Sequence, residues 1–557
     1  MFRTAGQLVD KVQVVAEAAS VSYAKGKGNG MSQETLSDFV EATAAKFGIP
    51  GVAVGVWADG QEIYASGGVT SIDNPLPVDQ DTLFLAGSVT KTFTATALMC
   101  LVAEGKVDLD APVRRYVPEL KLADEQTAAE VTVLNLLNHT AGLDWRIITD
   151  TGDGDDALAG QVAKMAELTL IASPGTRASY SQEGFNLAGR IVEKVAGLAY
   201  ERAVASLLFE PLGLSDTTYS VNDVMTRRFA VGHNLGAGET LSIARQWKDT
   251  RGNNPGGGIA SSVVDQLRWA RFHLGDGRPE SGTRVLPAEV LHRMKEPTVK
   301  LRGTTLGDAI GLGWFLRDVD DVRTVGHGGS GNGQFAELLI VPERDFAVIA
   351  MSNAAPGGIP CNQAVVRRAL ETYLEVTDPD PEPLPYDEAR AREVAGSYEN
   401  DAMTFTVATD GAALGLEVGI KPEIRAADTE LPADYDPFDF GLLAGDADEY
   451  IVTSGALKGQ RGFFTRDAGR AVVGVDLAGR LFNRLPTGSE STGDPEDHSP
   501  VGADAQRPQR ERGLISYSSI PISSGASACQ LACGSALVFR SIRAVCLLLA
   551  SSSARCA

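Results

Sequence analysis

The sequence predicts an α+β fold, with an antiparallel sheet flanked by helices, an inserted helical lobe and a small C-terminal β-barrel or sandwich domain. Three observations carry this. Apolar strand runs punctuated by turn residues occur near the start and again beyond Gly313; the stretch between them is periodic at helical spacing; and a proline-rich segment near Asp380 separates this unit from a second, strand-rich one.

Residues 1–30 read as an N-terminal extension, because Ser32–Phe47, just after Met31, is the first clean amphipathic helix pattern. Gly51–Trp57 and Glu62–Val69 read as strands joined across Ala58-Asp59-Gly60, where Asp-Gly supplies the positive φ of a tight hairpin. From Ser88 to about Gly275 the pattern is helical, including Thr92–Glu104, Val162–Leu170 and Asn186–Val195. Strand patterns return at Gly313–Arg317, Gln334–Val341 and Phe346–Met351, followed by a helix over Gln363–Leu374. Strands first and last around a helical middle imply one sheet, so 31–376 reads as a single unit.

Thr377–Pro385 holds four prolines and three acidic residues, which predicts a stiff linker over 377–387. Residues 388–485 contain short strand pieces such as Thr404–Thr409, Gln460–Thr465 and Ala471–Val475, separated by Gly and Asp. Over 486–557 the composition turns Ser, Gly, Asp and Pro rich, then Cys, Ala and Ser rich without a clear period, and a disordered tail is expected.

Composition narrows the function classes. A net charge of −22 over 557 residues repels phosphate backbones and anionic lipid, so neither nucleic acid nor a membrane surface is an expected partner. The longest apolar candidate, Ser535–Ala550, is interrupted by Arg540 and Arg543, which argues against a membrane span, and the N-terminus shows no export signal. Cys100 and Cys361 are isolated, and Cys529, Cys533, Cys546 and Cys556 lack the partners of a zinc set. Reduced thiols, a cytoplasmic location and no metal or organic cofactor are expected. Oligomeric state stays open.

Ser88-Val89-Thr90-Lys91 opens a run, Phe93 to Val102, that is apolar nearly all round and therefore reads as a buried helix. Burying a lysine costs desolvation energy, and its charge in the first turn opposes the positive end of the helix dipole. Structure alone gives no reason for Lys91 there. Three residues make one turn, so the Lys91 amine stands beside the Ser88 hydroxyl with its pKa pushed down, a base for a nucleophile. Ser22-Tyr23-Ala24-Lys25 matches the same short pattern but lacks a buried helix behind it.

A second element, Pro174-Gly175-Thr176-Arg177-Ala178-Ser179-Tyr180-Ser181-Gln182, leads into the Asn186 helix. A phenol near a lysine has its pKa lowered, so Tyr180 could take the serine proton and return it to a leaving group. Alone, it could equally pack the loop against the core. A third element, Gly326-His327-Gly328-Gly329-Ser330-Gly331, precedes the strand at Gln334; its glycines let backbone N–H groups approach an oxyanion, or serve simply as a strand-entry turn.

In this order the three elements resemble the signature of the serine β-lactamase and penicillin-binding-protein superfamily, in particular its class C β-lactamase-like, family VIII esterase-like branch. The resemblance spans about residues 35–375 and includes Val131–Leu143, Pro211-Leu212-Gly213-Leu214 and Gly311-Leu312-Gly313-Trp314. It implies that Ser88 is acylated, that Lys91 and Tyr180 move its proton, and that His327-Gly328-Gly329 lie on the third-motif strand. It further implies an oxyanion hole made by the N–H groups of Ser88 and Ser330. Gln182 stands where that pattern has Asn, and His327 where β-lactamases carry Lys; both departures bear on substrate binding.

Other candidates have ordinary explanations. His139 reads as satisfying loop groups at a helix end, Asp150–Asp156 as a solvated turn, and Ser262 with Asp265 as a helix cap, while Asn253–Gly258 resembles a family loop near the site. No Gly-x-Ser-x-Gly elbow occurs, which argues against an α/β-hydrolase. The expected function is a serine hydrolase acting on a small-molecule ester or amide, with β-lactamase or D-amino-acid peptidase as alternatives. A non-catalytic sensor with a retained pocket is the alternative from another class.

Overall fold

The computed structural model describes residues 33–486, apart from 144–149, 236–239, 249, 280–281, 423–436, 446–447 and 455–456. The expectations for residues 1–30, for Ser22 and for the segment beyond Pro486 lie outside the described residues.

Helix α1 (Gln33–Phe47) leads into strands β1 (Gly51–Ala58) and β2 (Gln61–Gly68), turned by Asp59 and Gly60 at φ 52° and 72°, both left-handed as the Asp-Gly pair predicts. Helix α2 (Thr90–Ala103) is buried from Thr90 through Leu101. The lobe continues with α3 (Gln182–Ala196) and α4 (Val263–Leu274), both capped by serine: Ser181 Oγ accepts from Gly184 N and Ser262 Oγ from Asp265 N. Strands β3 (Val299–Thr304), β4 (Gly307–Ile310), β5 (Phe315–Val319), β6 (Val322–Gly331), β7 (Gln334–Val341) and β8 (Phe346–Ser352) follow, then α5 (Gly358–Leu374). They form one sheet in the order β2-β1-β8-β7-β6-β5-β4-β3, so the first hairpin is closed onto the last strand across the whole lobe.

The adjacent strands β1 and β8 read as continuous apolar runs because both faces are covered. Val348 and Ala350 of β8 and Val52, Val54 and Val56 of β1 pack with Leu36, Val40, Val365 and Val366 of α1 and α5. Their odd-numbered neighbours Ala53, Ile349 and Met351 face the lobe with Val263 and Leu267 of α4. Period-2 alternation thus divides one strand between two cores.

Two expectations are corrected. A helix over Val162–Leu170 is replaced by Ala157–Lys164 and a 3₁₀ turn at Met165–Glu167. Val162, Met165 and Leu168 are buried as their spacing demands, but the chain turns extended at Leu168 and Leu170 bridges to Leu143. The glycine-rich third element is not a strand-entry turn; it is the end of β6 itself, with Ser330 opposite Phe335 of β7.

The linker is pinned rather than merely stiff. Asp378 takes Arg317 of β5 and Arg367 of α5, and Arg367 also holds Asp380. Beyond it lie β9 (Gly396–Glu399), β10 (Met403–Thr409), β11 (Leu414–Ile420), β12 (Phe438–Leu442), β13 (Glu449–Val452), β14 (Arg461–Arg466), β15 (Val472–Leu477) and β16 (Arg480–Arg484). These close into an antiparallel barrel through β9 and β16, which decides between barrel and sandwich. Inward-facing Tyr398, Phe405, Phe440, Tyr450, Phe464 and Phe482 pack against one another inside it.

Candidate active site

Ser88 sits on a 3₁₀ turn, Gly87–Val89, immediately before α2, where it is 8% exposed. Lys91, one turn on, is fully buried, and its Nζ lies 3.2 Å from Ser88 Oγ, 2.5 Å from Gln182 Oε1 and 2.7 Å from the Gly256 carbonyl. The last two partners can only accept. A neutral amine has two N–H donors and one lone pair, so the two acceptors use both donors and leave the lone pair for the serine hydroxyl. Burial holds the Lys91 amine well below its usual range, helped by the charge of Arg480 and opposed by Glu183.

Gln182 is engaged at both ends. Its Oε1 accepts from Lys91, while its Nε2 donates to Asn253 Oδ1 at 2.6 Å. The side chain therefore positions the lysine instead of offering a free amide to an acyl group. Glu183 beside it accepts from Gln161 Nε2 at 2.8 Å, and burial pushes its carboxyl up to about 7.

Tyr180 lies next to this pair, with Lys91 Nζ 4.9 Å from its ring centroid and the Ser88 hydroxyl close enough to act on its phenol. The expected lowering of its pKa does not hold. Burial pushes the phenol up to about 12 against the opposing effects of Ser88 and Arg480, so it carries its proton at neutral pH. His139 shapes the loop: at φ 59° its Nδ1 accepts the Ser181 N–H at 3.1 Å, its carbonyl accepts the Ser179 N–H, and its ring lies 4.6 Å from that of Tyr180.

The third side of the site is β6. A Cβ on Gly87, at φ 52°, would stand 2.5 Å from Ser330 N, and one on Gly329 would stand 1.9 Å from the Ala86 carbonyl and 3.0 Å from Ser88 N. Only glycine backbones allow this approach, and it brings the N–H groups of Ser88 and Ser330 together. His327 is buried, and its Nδ1 lies 2.6 Å from the Gly328 carbonyl, which can only accept, so the proton is on Nδ1. Burial, then Lys91, pushes the imidazole down to about 3; it is neutral, and Nε2 is left as an acceptor without a protein partner among the described residues.

The barrel reaches the same loop. Tyr180 N donates to the Gly479 carbonyl at 2.8 Å, Leu481 N donates to Ser179 Oγ at 3.2 Å, and the Arg480 guanidinium lies 5.0 Å from the Tyr180 ring centroid. The sequence pointed to Ser88, Lys91, Tyr180, Gln182, His327, Gly328, Gly329 and Ser330, and the structure places all of them at the Ser88 turn, the start of α3 or the end of β6 that lies against them. It missed Glu183, the bond from Gln182 to Asn253, and Arg480. The loop at Asn253 carried a faint signal; Arg480, some 300 residues from Tyr180 in the chain, carried none.

A family model described as Beta-lactamase matches residues 36–370. The chain belongs to this family. Penicillin-binding protein 4 of Amycolatopsis lactamdurans is 33% identical over 371 residues, which cover 65% of this chain and 96% of the relative. Among solved structures, the crystal structure of SurE superposes with a TM-score of 0.64 at 26% identity, covering 81% of this chain and 99% of that one. The D-amino acid amidase from Ochrobactrum anthropi SV3 complexed with D-phenylalanine gives a TM-score of 0.53 at 25% identity, covering 61% and 98%. The larger share matched by SurE exceeds the catalytic unit and needs the barrel as well.

Within the β-lactamase family frame, the three elements read from the sequence fall at the meeting point of sheet and lobe. Among the described residues, no helix is long and apolar enough to cross a membrane, and no cluster of three or more His, Cys, Asp or Glu is placed to hold a metal ion.

Proposed function

We propose that this chain is a carboxylesterase-like serine hydrolase that cleaves esters or small amides through an acyl-enzyme on Ser88. The observation that carries the reading is the contact set of Lys91: two acceptors and one hydroxyl around a buried amine. The Ser88 proton passes to Nζ as Oγ bonds the substrate carbonyl carbon, and the oxyanion receives the Ser88 and Ser330 N–H groups. Tyr180 gives its proton to the departing oxygen or nitrogen as that bond to carbon breaks, and Lys91 returns one to the phenolate. Water then attacks the acyl carbon, loses a proton to the same pair, and the acid leaves as Ser88 Oγ takes its proton back.

Esters are the better substrates. A neutral His327 whose N–H is spent on Gly328 offers a β-lactam carboxylate neither charge nor donor, and the Gln182 amide is occupied. Losing a charge-assisted hydrogen bond costs about 1.5–3 kcal/mol, or roughly one to two decades in efficiency. The amidase and penicillin-binding relatives support the amide and β-lactam alternatives for the same machinery. The test is kcat/KM on p-nitrophenyl butyrate and on a chromogenic cephalosporin with one preparation, together with fluorophosphonate labelling. The ester is expected to lead by at least about tenfold, and Ser88→Ala to abolish labelling and turnover. Equal or better cephalosporin turnover makes the chain a β-lactamase, and an unlabelled Ser88 leaves the sensor reading.

A further inference from the structure

Glu183 is the second residue of α3, and it is buried. A carboxylate in a first turn suits the positive end of a helix, but at the surface it would do so without being desolvated. Here the carboxyl lies inside the lobe among donors. Gln161 Nε2, from the helix Ala157–Lys164, donates to Oε1 at 2.8 Å, and Asn186 Nδ2 donates to Oε2 at 3.3 Å. Both amides turn N–H groups to Glu183 and leave their own oxygens, Gln161 Oε1 and Asn186 Oδ1, without a protein partner among the described residues. This setting suits the ionised carboxylate, which only accepts.

The charge that acts on this carboxylate is Lys91 of α2. Amides join the two: Gln182 Oε1 accepts from Lys91 Nζ, Gln182 Nε2 donates to Asn253 Oδ1, and Asn186 Nδ2 donates to the same oxygen at 3.3 Å. Arg251, in the turn that carries Asn253, is engaged by Glu201 and Asp155. Around Lys91 itself, Arg480 is a permanent cation, Tyr180 keeps its proton up to about 12, and burial holds His139 and His327 neutral. Among the described residues, Glu183 is the anion acting on Lys91, and its carboxyl changes charge near neutrality, at about 7.

We infer that Glu183 is a positioning residue for the Lys91 proton: its carboxylate stabilises the ammonium that forms on Lys91 when Ser88 attacks. The inference rests on the hydrolase reading, with Lys91 as the proton acceptor. The proton leaves Ser88 Oγ for Nζ as Oγ bonds the carbonyl carbon, and Glu183 neither takes nor gives one. Burial and Arg480 together make Lys91 a poor base. An anion fixed in a low-dielectric interior restores part of that proton affinity, and it acts more strongly on the forming ammonium than on the resting amine. The acid limb of the rate therefore belongs to the pair, whose active form has the amine neutral and the carboxylate ionised.

The experiment is the pH profile of kcat/KM on p-nitrophenyl butyrate with the full chain, for wild type and two variants whose effects have opposite sign. Glu183→Gln removes the anion that raises the Lys91 pKa, so the acid limb is expected to move to lower pH by about one pH unit, with a plateau about tenfold lower. Gln161→Met removes a donor that holds the Glu183 carboxyl down, so the limb is expected to move to higher pH by about 0.5–1 pH unit. A packing defect in either variant would lower the plateau and leave the limb in place. If one variant does not fold, the direction of the shift in the other decides. A limb that stays put in both, or moves the same way in both, overturns the proposal, while fluorophosphonate labelling of Ser88 keeps the hydrolase reading. Absence of wild-type turnover and labelling overturns the two together.

Discussion

At the scale of single residues, the site separates two protonation states chiefly by burial. Lys91 is pushed towards the neutral amine and Tyr180 towards the neutral phenol, so one can accept a proton while the other donates. Tyr180→Phe is expected to lower turnover of alkyl esters by about 10²–10⁴-fold. Fluorophosphonate labelling of Ser88 should suffer much less, because fluoride leaves without a proton; equal losses in both assays return Tyr180 to a packing role. The direction of the pH profile follows from Lys91. Its folded pKa is depressed, and the proposed mechanism needs the unprotonated amine, so kcat/KM is expected to fall on the acid side as pH drops through that lowered pKa, with no alkaline loss until near the phenol's value of about 12. A profile that falls between pH 7 and 9 would exclude this assignment. Lys91 beside Ser88 was legible in the sequence because one helical turn fixes their separation. The direction of the Tyr180 shift was not, because desolvation depends on what the rest of the chain packs around the ring.

At the scale of elements, the proposed oxyanion hole depends on the approach of β6 to the Ser88 turn. Gly329→Ala forces Cβ into the Ala86 carbonyl at 1.9 Å and must part the strand from the turn. A loss of about 10²–10³-fold in kcat is expected, as when an oxyanion donor is removed. Gly415→Ala in the barrel, whose Cβ would meet nothing nearer than the Ala408 carbonyl at 4.0 Å, should leave turnover unchanged. Similar rates for Gly329→Ala and wild type would exclude the backbone role. The strands Gln334–Val341 and Phe346–Ser352 were readable within a residue or two because alternation and turn residues bound them locally. The end of the Val162 helix was not, since Leu170 is drawn away by a backbone bridge to Leu143 that no local pattern announces.

At the scale of the whole molecule, the barrel is part of the site. Asp378, with a side chain 9% exposed between Arg317 and Arg367, fixes the linker to the catalytic sheet and α5. Asp378→Ala takes the shared anion from Arg317 and leaves Arg367 with Asp380 alone, and should cost about 1–3 kcal/mol, seen as a Tm lowered by several degrees in calorimetry. An unchanged Tm would reduce the clamp to a surface ion pair. By itself the sequence determined the sheet with its inserted lobe, the existence of a strand-rich second unit and the serine–lysine pair. Periodicity, turn chemistry and one-turn spacing are local properties, and a buried lysine in an apolar helix is conspicuous wherever it occurs. Tertiary structure alone decided that the β-unit closes as a barrel, that Gln182 serves Lys91, and that Arg480 stands over Tyr180. Those outcomes depend on groups far apart in the chain meeting in a low-dielectric interior, where desolvation and the available hydrogen-bond partners, rather than residue type, set orientation and charge.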